Sequence, residues 1–311
     1  MKIVIIGAGG IGGYFGGRLL QAGEDVHFIA RGKHLDTIKK AGLKVLSPLG
    51  DLHLKNPKCT QNPEDIGPSD IVLICVKLWA TEEAIGLLPP LLGENTAVIS
   101  LQNGVIAVET LLKSLNKKHV VGGVSRIAAL IEEPGVIRHN GKMASLTFGE
   151  LDGGESQRTS DLLAACHNAE ITANISNDIH TSIWEKFVQL VTMSSITALT
   201  RLPIGPNRED PDTRTLMQNI MGEVIQVGLL KGAKLSNNML EKQFENIDKL
   251  PATMVASMCG DLRRHYKIEL PWFAGTVVEL GKQLGLPTPA NQFVYAALKL
   301  HKDGRHPMLQ T

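Results

Sequence analysis

The chain has 311 residues, 43% hydrophobic and 20% charged, with 32 Lys+Arg against 31 Asp+Glu and a formal net charge of +1. That length allows two domains with cores of their own, in a composition ordinary for globular proteins. The balanced charge gives no basis for nucleic-acid or membrane-surface binding, no apolar run suffices to span a bilayer, and no leader pattern precedes the first strand, so a cytoplasmic protein is expected.

Lys2-Ile3-Val4-Ile5-Ile6 is a β-branched run that reads as a buried strand. Gly7-Ala8-Gly9-Gly10-Ile11-Gly12 follows directly, and a helical pattern begins at once. Asp25–Ala30 reads as a second strand, and Leu43–Leu54 as a hairpin turning near Pro48-Leu49-Gly50. Ile71–Val76 is an apolar run typical of a central parallel strand. Ala97–Leu101 and His119–Gly123 repeat the pattern, with helical stretches between. Near Ile175 the texture changes. From Asp178 the spacing predicts helices over 178–200, 208–232, 237–248, 253–265, 271–285 and 288–302, and no strand. The expected fold is α/β: a Rossmann-type, doubly wound, mainly parallel sheet over 1–176, then an all-helical domain over 177–311.

Cys59, Cys75, Cys166 and Cys259 are scattered, with no C-x-x-C pair, and read as free thiols of a reducing compartment. No cluster has metal-ligand spacing, so no metal is expected. Apolar helices of the second domain fit either its own core or a homodimer surface, the core being the more ordinary explanation. The tail from His301 to Thr311 reads as polar and loose.

The G-x-G-x-x-G between strand and helix is a dinucleotide-binding signature. Gly7 permits the tight turn, Gly9 lets the backbone approach a pyrophosphate, and Gly12 lets helix and strand pack closely. Ala8, Gly10 and Ile11 complete the loop, whose helix-start N–H groups face the phosphates. After the second strand, Ile29-Ala30-Arg31-Gly32-Lys33 has two cations and no carboxylate. Arg31 suits a ribose 2′-phosphate, so NADPH/NADP+ is expected over NADH. Lys77 and Asn103 follow the third and fourth parallel strands, where ligands bind in open α/β sheets.

These residues carry a resemblance to ketopantoate reductases (2-dehydropantoate 2-reductases), NADPH enzymes of pantothenate biosynthesis. It rests on Gly7–Gly12, Arg31, Val76-Lys77-Leu78-Trp79, Gln102-Asn103-Gly104-Val105, Trp184-Glu185-Lys186-Phe187, Ser257-Met258 followed by Glu269, and Gly285–Asn291, in that order. The resemblance implies that Lys186 is the general acid toward the ketone oxygen and that Glu269 positions it. It implies that Asn103 orients nicotinamide and substrate, that Lys77 lies near the cofactor and reacting centre, and that Ser257 contacts the substrate carboxylate. The second domain then supplies Lys186, Glu269 and Ser257 across the interdomain cleft, with domain closure excluding water. Chemistry agrees: hydride attack builds negative charge on a ketone oxygen, which an ammonium stabilises and protonates.

Leu190 and Ser194 fall at i+4 and i+8 from Lys186, on its helical face, so both are substrate-pocket candidates. The family has asparagine at both, and another where Met254 stands. It also more often has Asp and Asn at the positions of Pro271 and Ala274. Losing amides disfavours a hydroxylated substrate. Three readings follow: reduction of ketopantoate to pantoate, reduction of a more apolar 2-keto acid, or non-catalytic NADPH sensing.

Overall fold

Strand β1 (Lys2–Ile6) lies between two parallel neighbours, β2 (Asp25–Ile29) and β6 (Ser69–Ile74), because its alternating faces are both apolar and both covered. The computed structural model describes residues 1–306. Contacts divide the chain into a first unit, Met1–Ser182, and a second beginning at Ile183.

The first unit holds one ten-stranded sheet. Besides β1, β2 and β6 it contains β3 (Leu43–Leu46), β4 (Leu52–Leu54), β5 (Lys58–Thr60), β7 (Leu92–Ser100), β8 (Val120–Glu133), β9 (Val136–Glu150) and β10 (Thr172–Ile175). The order is β4-β3-β9-β8-β7-β6-β1-β2-β5, with β10 also paired to β9. The β3–β4 and β8–β9 pairs are antiparallel and the others parallel. Its helices are α1 (Gly10–Gln21), α2 (Gly32–Ala41), α3 (Thr81–Gly86), α4 (Ala107–Ser114) and α5 (Gln157–Asn168). Chain order reverses at β1, between β2 on one side and β6 on the other, which puts the Gly7–Gly12 loop at the switch point.

The β8–β9 hairpin is absent from the sequence reading beyond Gly123. Its ladder shifts register between Ile127 and Ala129 and between Ile131 and Glu133, so no clean alternation survives. The one signal was the turn pair Pro134-Gly135. The hairpin and β3–β4 bring strands against α1, which also contacts β1 and β2. Helix α1 is therefore buried over the whole run Gly12–Leu19. A Cβ on Gly16 would lie 2.6 Å from Phe28 Cε1, and one on Gly10 would collide with the Ala129 carbonyl. Such contacts leave room only for hydrogen.

Helix α6 (Ile179–Thr200) runs across the division between units. Its first turn belongs with the sheet because Ile179 packs on Gly122 and the Ser176 and Ser182 hydroxyls meet at 2.9 Å. The division thus falls beyond the boundary expected at 176. The second unit has no strand among the described residues and contains α7 (Ile204–Glu209), α8 (Pro211–Leu230), α9 (Met239–Asp248), α10 (Ser257–Arg263), α11 (Ala274–Leu284) and α12 (Pro289–Leu298).

Several helix limits differ from expectation for local reasons. The predicted helix over 208–232 splits at Asp210, whose side chain accepts from the Asp212 and Thr213 N–H groups ahead of Pro211. The one over 253–265 starts only at Ser257, and the one over 271–285 only at Ala274, after a short 3₁₀ turn over Leu270–Trp272. Glu223 on α8 accepts from the Ala290 and Asn291 N–H groups and the Asn291 amide, so the Gly285–Asn291 motif builds a helix start. The tail is packed at its beginning: Ile268 N–H donates to the Lys302 carbonyl, and Gly304 lies against His265. Its last residues, 307–311, lie outside the described ones.

Two glycine substitutions separate packing from helix propensity. Gly16→Ala should lower stability, because overpacking at Phe28 and Ile5 costs about 1–3 kcal/mol. Gly222→Ala on α8, with open space at its Cβ, should raise stability by about 0.5–1 kcal/mol. Thermal unfolding of both variants checks the pair, and a stabilised Gly16→Ala would contradict the close approach of α1 to β1 and β2.

Candidate functional site

At Gly7 the chain leaves β1 with φ +99°, while its N–H still donates to the Ile29 carbonyl at 2.9 Å. That conformation suits glycine alone. Gly9 precedes α1 and supplies no side-chain cap, and the first helical bond runs from Gly13 N–H to Gly9 C=O. The amides at the start of α1 therefore keep their donors for a ligand. A Cβ on Gly9 would meet nothing nearer than Ile131 Cδ1 at 4.0 Å, so the loop is open where a pyrophosphate would lie. These features fit a dinucleotide.

Arg31, Lys77 and Asn103 stand just beyond the carboxyl ends of β2, β6 and β7. In the sheet order β7-β6-β1-β2 these ends are neighbours of the glycine loop, so one edge collects all the expected cofactor residues. Lys77 is exposed, with its ammonium 5.8 Å from the centre of the Trp79 ring. Gln102 is buried and fixes this edge. Its amide donates to the Val76 carbonyl (3.1 Å) and the Thr81 hydroxyl (2.8 Å), and accepts from Ser100 Oγ (3.0 Å). Nothing in the Gln102-Asn103-Gly104-Val105 motif itself marks Gln102 for this structural role.

Arg31 is 71% exposed and bonds Glu83 Oε1 on α3 at 2.5 Å. No local pattern signalled that partner, which α3 delivers from the far side of β1. A 2′-phosphate would have to share or displace Glu83, because a carboxylate disfavours a second anion on the same guanidinium. A cavity of about 1060 Å³, lined by Asp70, Lys117, Glu150 and Arg158, lies instead at the amino ends of β6 and β8 and holds none of the expected site residues.

The other candidates lie in the second unit. Lys186 is half-buried on α6 between buried Trp184 and Phe187, whose rings meet edge to face at 5.6 Å. One turn on, Leu190 is half-buried. Two turns on, Ser194 is 0% exposed, and its hydroxyl has no hydrogen-bond partner among the described residues. Of Leu190 and Ser194, only Leu190 therefore keeps accessible surface. Ser257 is exposed at the first position of α10, which packs on α6 through Cys259 and Thr197.

Glu269 is 3% exposed and immediately precedes the 3₁₀ turn over Leu270–Trp272. A carboxylate before a proline-containing turn commonly caps it. Here the side chain makes no capping bond; only the Glu269 carbonyl does, accepting from Trp272 N–H. A carboxylate this buried is held by partners rather than by water.

Comparison with known proteins identifies the family. Residues 3–153 match the family described as ketopantoate reductase PanE/ApbA, and residues 178–302 match its C-terminal domain. The chain is 30% identical to the uncharacterized oxidoreductase YkpB of Bacillus subtilis over 97% of this chain and 99% of that one. The crystal structure of 2-dehydropantoate 2-reductase from Geobacter metallireducens GS-15 superposes with TM-score 0.90 at 29% identity, covering 96% and 99% of the two chains. A D-mandelate dehydrogenase solved with NADH and anilino(oxo)acetate shares the fold, with TM-score 0.88 at 22% identity over 97% and 98%. The chain belongs to the ketopantoate reductase family and is an oxidoreductase of the 2-dehydropantoate 2-reductase type.

The Arg31–Glu83 pair sets a test of cofactor choice. Arg31→Ala should raise the Kd for NADPH far more than that for NADH. Glu83→Gln, which frees the guanidinium from an exposed pair of about 0–1 kcal/mol, should tighten NADPH up to about fivefold and leave NADH unchanged. Fluorescence titration reads both, and equal effects of Arg31→Ala on the two cofactors would count against a phosphate role.

Proposed function

We propose that this chain reduces 2-dehydropantoate to pantoate with NADPH, a step of pantothenate biosynthesis in the cytoplasm. Its partners are then small molecules, with no nucleic acid or membrane. The observation that carries the reading is the collection of the glycine loop, Arg31, Lys77 and Asn103 at one sheet edge, in a chain that also keeps Lys186 on an apolar helix.

When bound, the dinucleotide supplies a hydride to the ketone carbon. The protein's part begins with the amides at the start of α1, which hold the pyrophosphate. Arg31 takes the 2′-phosphate, and Asn103 orients the nicotinamide and the substrate. Lys77 lies beside the reacting centre as a second cation. Ser257 donates to the substrate carboxylate. Lys186 donates a proton from Nζ to the ketone oxygen as negative charge grows there. Glu269 positions that ammonium and balances its charge.

A second reading keeps this apparatus and changes the substrate to a more apolar 2-keto acid. It is favoured by Leu190, half-buried one turn beyond Lys186, by the sealed Ser194, and by Met254. A hydroxylated substrate gains little from hydrocarbon, whereas an alkyl or aryl group gains about 25 cal/mol per Å² buried.

Two measurements test these readings. Lys186→Ala should lower kcat by a factor of roughly 10²–10⁴ while leaving the NADPH Kd close to native; near-native kcat would sink the general-acid role. In NADPH oxidation followed at 340 nm across a panel of 2-keto acids, ketopantoate should have the highest kcat/KM. A higher value for an alkyl or aryl keto acid would transfer the assignment to the second reading. Tight NADPH binding without turnover on any keto acid would leave a sensor.

A further inference from the structure

His34 lies on α2, three residues after Arg31, and neither the motif nor the proposed mechanism uses it. Its ring stands between two backbone groups far apart in the chain. The Gly135 N–H, in the turn between β8 and β9, points at Nδ1 from 3.1 Å. Nε2 lies 2.8 Å from the carbonyl oxygen of Ala8, inside the glycine loop. An N–H only donates and a carbonyl only accepts, so the two partners fix the tautomer. Nδ1 is the acceptor and Nε2 carries the proton. Burial pushes the imidazole below its ordinary pKa, with the Ala8 carbonyl pulling the other way, which agrees with a neutral ring.

Both ends of this bridge are anchored. Helix α2 is seated by buried Leu35 and Ile38. The Gly135 turn is wedged against the same helix: at φ +80° a Cβ there would lie 2.7 Å from Thr37 Cγ2. The Gly135 carbonyl in turn accepts from Lys44 N–H at 2.9 Å. The Ala8 carbonyl and the Gly9 N–H belong to one planar peptide and point in opposite directions. Fixing one therefore fixes the other. Glycine on both sides of Ala8 lets a backbone approach a phosphate but leaves that peptide free to rotate.

We propose that His34 is a positioning residue for the dinucleotide loop: it ties the Ala8–Gly9 peptide to the β8–β9 turn and so aims the Gly9 N–H at the pyrophosphate. The proposal rests on the reading of Gly7–Gly12 as the cofactor loop. The pyrophosphate is common to NADPH and NADH, so the effect of His34 is the same for both, unlike that of Arg31.

The test uses the full chain with His34→Ala, His34→Gln and His34→Asn. Gln places an N–H donor near the position of Nε2; Asn is too short to reach Ala8. Titration by nicotinamide fluorescence should show His34→Ala and His34→Asn weakening NADPH and NADH equally, on the order of fivefold for one lost hydrogen bond. His34→Gln should recover most of the affinity. Amide hydrogen exchange of the cofactor-free protein over Gly7–Gly13 should follow the same ranking, fastest in Ala and Asn.

Native-like affinity and exchange in a folded His34→Ala protein would overturn the proposal. A loss confined to NADPH would also overturn it, because it would place His34 at the 2′-phosphate. If His34→Ala does not fold, the Gln and Asn variants decide: Gln closer to native supports the tether, and equal behaviour overturns it. A native protein that binds neither dinucleotide would refute the cofactor reading. The exchange ranking alone would then decide whether His34 holds the loop.

Discussion

Only hydrogen atoms fit between the backbone of α1 and its neighbours at Gly10 and Gly16. An ordinary surface helix buries one stripe and shows the other to water. Helix α1 is buried from Gly12 to Leu19 because the β8–β9 and β3–β4 hairpins add strands against it. Its amino end is where the chain opens, and there the uncapped amides stand beside Gly9. The close packing that immobilises the helix also immobilises its donors, so a phosphate group bound there would meet a site whose ordering cost was met during folding.

The two units divide the chemistry by the kind of structure each provides. Neighbouring parallel strands end on one edge, so the first unit gathers residues that are remote in sequence, and buried Gln102 locks that edge by bonding to three places at once. Helices present residues at i, i+4 and i+8, so the second unit lines up Lys186, Leu190 and Ser194 from one short segment. Glu269, in the same unit, is a carboxylate kept from water and not used for capping. Leu190 keeps accessible surface and Ser194 is sealed, so of these two positions only Leu190 could touch a substrate as the helix stands.

Much of this could be read from the residues. The glycine loop was legible because a strand, three glycines and a helix agree within twelve positions. The helical second unit was legible from its 3.6-residue periodicity. The β8–β9 hairpin was not, because its two register shifts erase the alternation that marks a strand. The helix limit at Asp210 depends on a side-chain cap, and the one before Ala274 on the unusual backbone of Phe273 (φ −106°, ψ −99°), both below the resolution of periodicity. Glu83 beside Arg31, and His34 beside Ala8, come from pairings across the fold that no local pattern encodes. The roles assigned to Lys186 and Glu269 rest on the order of motifs alone, since each has an ordinary surface or capping explanation in isolation.

The bridge through His34 spans 101 residues of sequence to Gly135, and β3 meets its parallel partner β9 over a comparable gap, Lys44 opposite Val136. Such distant pairings form late and slow the folding of sheets that rely on them. During synthesis the glycine motif emerges first, yet the turn that steadies it emerges only after most of the sheet. A ribosome-bound chain ending before β9 therefore carries the full motif without its finished shape. A dinucleotide bound at that loop would therefore add more of its binding free energy to the completed sheet than to any stage that lacks the turn.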